Sequence, residues 1–311
     1  MAGGRRGQEG RDRAHPPTVL SIAGSDSGGG AGIQADLKAF ARCGVHGVTA
    51  ITAITAQNTV AVDAIHPLPS EIVLAQARTV LADIAVDAVK VGMLATAELA
   101  DAVATLLAEL PGGTPVVVDP VMVAESGARL LDSQAELALV RELLPRATVV
   151  TPNLPEARVL ASHGAGAASG GAGDAAGRGE AGDERGTGDD EDGEARRLAR
   201  AVLALGPGAV VLTGGHRPHA VDLFVKSRTD REDVEVLEIA GERHRDGAAH
   251  GSGCTHSSLI AAQLALGRSP LQAARVAREL TGEAIAGALR DLGAGAGPVD
   301  VIGLAGMRVD D

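Results

Sequence analysis

The 311-residue chain has no Trp and no Tyr, and Phe40 and Phe224 are its only phenylalanines. Its core must therefore be aliphatic, built from Val, Leu, Ile and Ala. The same lack excludes stacking of successive nucleic-acid bases on aromatic platforms, while phosphates, nucleotides and small polar ligands stay open. Cationic excess is missing too: 28 Lys and Arg face 40 Asp and Glu, a formal net charge of −12. That balance argues against nucleic acid or an anionic membrane as partner. No apolar run approaches the ~20 residues that span a bilayer. Cys43 and Cys254 are the only cysteines, too few for a disulfide framework, which points to a cytoplasmic protein. Residues 1–17 are basic but lack an apolar segment. They read as a disordered tail, not a signal peptide, and Arg5-Arg6 not as an export signal.

What is present is a rhythm. Short β-branched runs at 18–24, 47–55, 87–93, 115–122, 147–153 and 208–215 alternate with Ala/Leu-rich stretches of helical spacing. The latter lie at 32–44, 70–84, from about Thr96, and at 133–144, 254–267 and 269–289, with Ser70 expected as an N-cap. Segments 220–227 and 233–240 read as an antiparallel pair. Repeated β-then-α units predict a three-layer α/β fold, one largely parallel central sheet with helices on both faces, over residues 18–305. Ligands of such sheets sit at the carboxyl ends of the strands, so the loops there are the ones to read.

Residues 161–195 break the rhythm. They are Gly/Ala-rich, then acidic, with nine acids against Arg178 and Arg185. Such a stretch cannot bury enough surface to offset its ordering entropy. It reads as a disordered, solvated insertion; a docking tail for a basic partner is the alternative.

The first strand runs into GSDSGGGAGIQADLK, with five glycines between Gly24 and Gly32. Glycines let backbone bend sharply and approach a ligand closely, and the helix that follows offers free N–H groups. The stretch is neither a P-loop nor a dinucleotide fingerprint. Asp26 and Asp36 favour a binding site over an ordinary turn. Gln57 and Asn58 end the second strand; an amide both donates and accepts, which suits a heterocycle edge, though a turn role is equally open. Asp119, Asn153 and Glu156 lie at further strand ends. Each alone could cap a helix; together they suit a hydrated Mg²⁺ bound through few protein ligands. Gly214 and Gly215 join the same rim, and His216 and His219 read as surface loop residues without zinc spacing.

In AHGSGCTHSS, Gly251, Ser252, Gly253 and Cys254 precede a helical stretch. Successive N–H groups there form an anion cradle helped by the helix dipole, and a cysteine in that place is expected to have a depressed pKa. Three readings follow. Cys254 attacks a carbonyl with His250 or His256 as base; the cradle stabilises a transferring phosphoryl group beside Cys254; or the cysteine is buried and inert.

The ordered set GSDSGGGAGIQADLK, TAQNT, VKVGML, DPVM, TPNLPEA, TGGH, HGSGCT and GPVD resembles the ribokinase superfamily, specifically the hydroxymethylpyrimidine/phosphomethylpyrimidine kinases of thiamine biosynthesis. The resemblance implies a ribokinase-like fold, ATP and Mg²⁺ as cofactors, and commonly a homodimer. It implies phosphorylation of 4-amino-5-hydroxymethyl-2-methylpyrimidine and then of its monophosphate. It assigns Gly24, Asp36, Thr55, Gln57 and Met93 to the pyrimidine, and Asp119, Asn153, Thr213 and Gly214 to the nucleotide. Glu156 would order Mg²⁺ through water, and Cys254 stands where related kinases carry an Asp base, within the cradle of Gly251, Ser252 and Gly253. This chain departs from the pattern in having Glu125 and Thr213 where relatives often have Lys, and Ala248-Ala249 where many have Asn-Thr. A pyridoxal or pyridoxine kinase is the nearest alternative. A non-catalytic sensor of pyrimidine or nucleotide is the alternative from another class.

Overall fold

The structure, a computed structural model, describes residues 15–123, 127, 130–168, 188–215, 220–228, 233–244 and 250–307. Residues 1–14, most of the expected tail, lie outside them, as do Glu125, His216, His219 and Ala248-Ala249. The chain begins β1 (Thr18–Asp26), α1 (Gly32–Arg42), β2 (His46–Gln57), β3 (Val62–Pro67) and α2 (Ser70–Asp83). Next come β4 (Ala88–Val91), α3 (Ala97–Glu109), β5 (Val116–Val118), α4 (Ser133–Ala138), β6 (Val149–Val150) and α5 (Leu154–Ala168). It closes with α6 (Gly188–Leu203), β7 (Ala209–Leu212), β8 (Val221–Ser227), β9 (Val234–Ala240), α7 (Ser252–Ala265) and α8 (Pro270–Ala286).

These strands form one sheet in the order β3-β2-β1-β4-β5-β6-β7-β8-β9. The six from β2 to β7 run parallel, while β3, β8 and β9 join antiparallel at the two edges. Alternation places Leu20, Ile22, Val116, Val118, Val150, Val210 and Leu212 in one core layer, beneath α2 to α6. Val19, Val117, Val149 and Val211 point to the other layer, beneath α1, α7 and α8. With side chains buried on both faces, the central strands read as continuous apolar runs. The strand order reverses about β1, whose neighbours are β2 and β4; in open α/β sheets the crevice at such a point is where ligands bind.

Several expectations shift at their edges. Strand β3 was not among the predicted segments; VDAIHP is an edge strand that buries little, so no apolar run announces it. It returns from β2 through a turn in which Asn58 Oδ1 accepts the Val60 and Ala61 N–H groups, so Asn58 is a turn residue. Ser70 does not cap α2: Pro69 is the N-cap, and Ser70 Oγ donates to Glu98 Oε1 at 2.5 Å. The insertion expected at 161–195 is helical at both ends, since α5 continues to Ala168 and α6 starts at Gly188. There Ala195 is buried, and Arg158 and Glu194 pair at 2.8 Å across the two helices. Residues 169–187 lie outside the described residues.

Candidate active site

The carboxyl ends of β1, β2, β4, β5, β6 and β7 border one cavity of about 230 Å³. The glycine-rich turn after β1 forms one wall, and the start of α7 the other. In the turn, Asp26 is the organiser. Its Oδ1 accepts the Gly28 N–H (2.8 Å), and its Oδ2 accepts those of Gly30 (3.0 Å) and Ala31 (2.8 Å). His250 Nε2 approaches the same Oδ2 at 3.1 Å. Burial pushes the Asp26 carboxyl up, but the His250 contact and the Ala31 and Gly28 amides outweigh it and hold the carboxyl below its usual range.

Opposite, Gly251 is the N-cap of α7 at φ 78°, and the first intrahelical bond of that turn runs from Thr255 N–H to Gly251 O. The Ser252, Gly253 and Cys254 amides thus have no partner within the helix. Gly251 has no alternative: a Cβ there would lie 1.7 Å from Gly30 O, so the two walls touch backbone to backbone.

Cys254 lines the cavity, but its ionisation runs opposite to expectation. Burial pushes the thiol up to about 12, and the Asp119 and Asp36 charges add to that; Lys90 and the Gly32 amide pull the other way and lose. Desolvation and two buried carboxylates outweigh the helix terminus here.

Beneath the floor lies a buried charge cluster. Lys90 and Asp36 are wholly buried, with Nζ 2.9 Å from Asp36 Oδ1 and 4.0 Å from Asp119 Oδ2. Burial alone would lower the Lys90 pKa; the Asp36 and Asp119 charges outweigh it and hold the ammonium charged. Asp36 also accepts from Ser21 Oγ (2.5 Å) and Ser258 Oγ (2.6 Å). Engaged by Lys90, Ser21 and Ser258, Asp36 lies under the floor of the cavity, directly behind the wall assigned to the pyrimidine. Lys90, which sequence reasoning passed over as part of VKVGML, borders the cavity.

The other residues that the resemblance assigns to the pyrimidine come together. Gly24, Thr55, Gln57 and Met93 line the cavity. Thr55 Oγ1 donates to Ser25 O and Gln57 Oε1, both at 3.1 Å, orienting the amide. Gly24 leaves room for Met93, whose Cε would sit 3.4 Å from a Cβ there.

On the far side, Asn153 and Glu156 cap α5 reciprocally: Asn153 N–H donates to Glu156 Oε2 and Glu156 N–H to Asn153 Oδ1, each at 2.9 Å. Both border the cavity with Asp119 and Thr213. Capping and site roles therefore coincide. Burial and the Asp119 charge push Glu156 up to about 8, and burial also raises Asp119. Two buried carboxyls that disfavour each other's charge are a donor set a divalent cation would relieve. Hard oxygens in this number fit a water-rich Mg²⁺ rather than an all-protein cage, and the described residues hold no cluster of three or more ligating side chains.

Gly214 is set back from the cavity, its N–H donating to Asp222 Oδ1 at 2.8 Å, while Gly215 borders it. Asp222 is the centre of a polar lobe absent from the sequence-derived list. Its Oδ2 lies 3.3 Å from His256 Nε2 and 3.9 Å from Arg278 Nε. Thr151, Thr281 and Ile285 complete that side. The Thr151 and Thr281 hydroxyls, both ring nitrogens of His256 and Arg278 Nε have no hydrogen-bond partner among the described residues. Apart from His256, no local signal marked them in advance, because Asp222 sits in an ordinary strand and α8 reads as an ordinary amphipathic helix. His256 faces Asp222 at ion-pair distance and His250 lies against Asp26, so neither is placed as a base for a hydrolase.

The phosphomethylpyrimidine kinase family model matches residues 26–173 and 185–300. The unmatched 174–184 fall inside the Gly/acidic stretch. A hydroxymethylpyrimidine/phosphomethylpyrimidine kinase of Streptomyces coelicolor is 44% identical over 287 residues, 92% of this chain and 94% of the relative. A crystal structure of the phosphomethylpyrimidine kinase of Clostridium difficile 630 superposes with a TM-score of 0.63 at 35% identity, covering 84% of this chain and 96% of that one. A pyridoxal kinase of Staphylococcus aureus in complex with pyridoxal gives 0.73 at 30% identity, over 96% and 97%. The family match takes in the glycine-rich turn and the start of α7, the two walls of the cavity, and the chain belongs to the phosphomethylpyrimidine kinase family.

Proposed function

We propose that this chain transfers the γ-phosphoryl group of ATP to the hydroxymethyl group of 4-amino-5-hydroxymethyl-2-methylpyrimidine, and then phosphorylates the monophosphate to the diphosphate. The observation that carries the reading is the meeting of the glycine-rich turn and the 252–254 amides in one cavity. One wall offers the Gln57 amide, backed by Thr55 and Met93, to an aminopyrimidine edge. The other offers the Ser252, Gly253 and Cys254 N–H groups, which have no partner within α7, to a phosphoryl group. Phosphoryl transfer passes through a loose transition state, so positioning and charge stabilisation dominate. The Ser252, Gly253 and Cys254 amides meet the charge that grows on the migrating group; one such donor is typically worth ~3 kcal/mol.

Cys254 orients the substrate hydroxyl through its sulfur. With the thiol protonated, the hydroxyl proton leaves late and passes to an oxygen of the transferred phosphoryl group, after the new P–O bond has begun to form and the bond to the β-phosphate to break. Mg²⁺, when bound, supplies neutralisation of the polyphosphate charge; Asp119, Asn153 and Glu156 are the residues that would hold it. Thr213 and Gly215 border the nucleotide side, with Gly214 bracing the loop. We further propose a cytoplasmic homodimer. Support comes from the free Cys43 and Cys254 and from the exposed apolar Ile54 and Val60 along the β2–β3 edge. No described helix is long and apolar enough to cross a membrane.

The test is incubation of purified protein with ATP, Mg²⁺ and the pyrimidine alcohol, followed by mass spectrometry. Mono- and diphosphorylated products are expected; absence of any phosphorylated pyrimidine would sink the proposal. The superposition on a pyridoxal kinase supports a second reading, and rates with pyridoxal measured side by side decide between them.

A further inference from the structure

Two buried side chains, 224 positions apart in the chain, meet between the walls of the cavity: Asp26 and His250, at 3.1 Å. Each is bound into its own wall. Asp26 gathers three amides of the glycine-rich turn. His250 directly precedes Gly251, the N-cap of the cradle helix. Its backbone is held from behind by the C-terminal segment, with Val299 N–H donating to His250 O at 3.2 Å. Its ring abuts Gly30, where a Cβ would come within 2.2 Å of Cδ2. The ring thus packs between the turn and the segment carrying the cradle, beside the Gly30–Gly251 backbone contact, and Gly30 leaves it room.

We propose that His250 is a positioning residue, a latch that sets the separation between the acceptor-binding turn and the phosphoryl-binding amides through its contact with Asp26. The proposal rests on the kinase reading. Its physical content is geometric. An alcohol held by one wall and a phosphoryl group held by the other react only at near-attack distance, and a displacement of ~1 Å costs about 100-fold in rate. Loosening the latch leaves each half-site intact, so it separates turnover from affinity. It also opens the gap between the walls to water, which then competes with the alcohol for the phosphoryl group.

The test compares His250→Ala, His250→Gln and Gly30→Ala with the wild type. Gln retains an N–H donor at the distance of Nε2, whereas Gly30→Ala displaces the ring without removing a polar group. Turnover, KM for both substrates, the ratio of ADP to phosphorylated pyrimidine and the thermal unfolding midpoint are measured. The latch predicts that His250→Ala and Gly30→Ala lose about 100-fold in kcat with little change in either KM. Both should release ADP in excess of phosphorylated pyrimidine, and His250→Gln should recover most of the loss. Wild-type turnover in His250→Ala, or equal losses in the Ala and Gln variants with ADP and product still matched, would overturn it. Should His250→Ala fail to fold, the coupling ratio in Gly30→Ala decides. A wild type that yields no phosphorylated pyrimidine would overturn the kinase reading and the latch with it.

Discussion

Lys90 carries its charge where a lone charge is most costly. Only Asp36 and Asp119 make that tolerable, and only Gly92 leaves it room, since a Cβ there would lie 2.8 Å from Nζ. Removing one member of a buried ion cluster strands the others. Lys90→Met is expected to cost about 3–5 kcal/mol in denaturant unfolding, and the further change Asp36→Leu should recover part of it. Cys254 makes the complementary point. A helix terminus lowers a thiol pKa only if desolvation and neighbouring carboxylates do not outweigh it, and here they do. With a folded-state value raised to about 12, the thiolate is scarce at neutral pH. Alkylation by iodoacetamide is therefore expected to be slow at pH 7 and to rise through pH 9 without a plateau; a plateau near pH 7 would contradict the environment described. Cys254→Ala is expected to lower turnover by about 100-fold or more with pyrimidine affinity, measured by calorimetry, little changed. Cys254 was legible as a site residue because its glycine-rich context is unusual. Its protonation state was not, because the groups that set it come from β4, β5 and α1.

At the scale of elements, the start of α7 depends on backbone that only glycine can supply. Gly251→Ala would combine a left-handed φ of 78° with a Cβ 1.7 Å from Gly30 O. It is expected to lower the thermal midpoint clearly and abolish turnover. Gly253→Ala, with nothing within 4 Å of a Cβ, should fold normally, and the comparison of the two midpoints checks the geometry. The strands and helices that build this frame were readable wherever burial on one or both faces imposed a period. Strand β3 escaped because an edge strand needs no apolar face, and Ser70 was misjudged as a cap because Glu98, from α3, engages its hydroxyl instead. The first miss reflects the lack of a buried face, the second a partner outside the local window.

For the whole molecule, the acidic segment is the part least coupled to the site. Helices α5 and α6 pack together through Arg158 and Glu194 before and after it, and the family match is interrupted at 174–184. Replacing 169–187 by a short Gly/Ser linker is expected to leave turnover and the thermal midpoint unchanged, since closing a shorter loop costs little; loss of folding would show that the segment is structural. The order of β and α segments, their apolar periods, and the glycine-rich and polar strand ends were set by sequence alone, because these are local patterns that burial and backbone freedom impose on successive residues. Which of those polar residues face the cavity, which sit beneath its floor, and which unmarked ones from α7 and α8 join them was decided by tertiary structure. Asp36 and Lys90 paired beneath the floor, and Asp222 and Arg278 joined His256 beside the cavity, because the field and solvent exposure at a side chain depend on neighbours brought near only when the sheet and its two helical layers close.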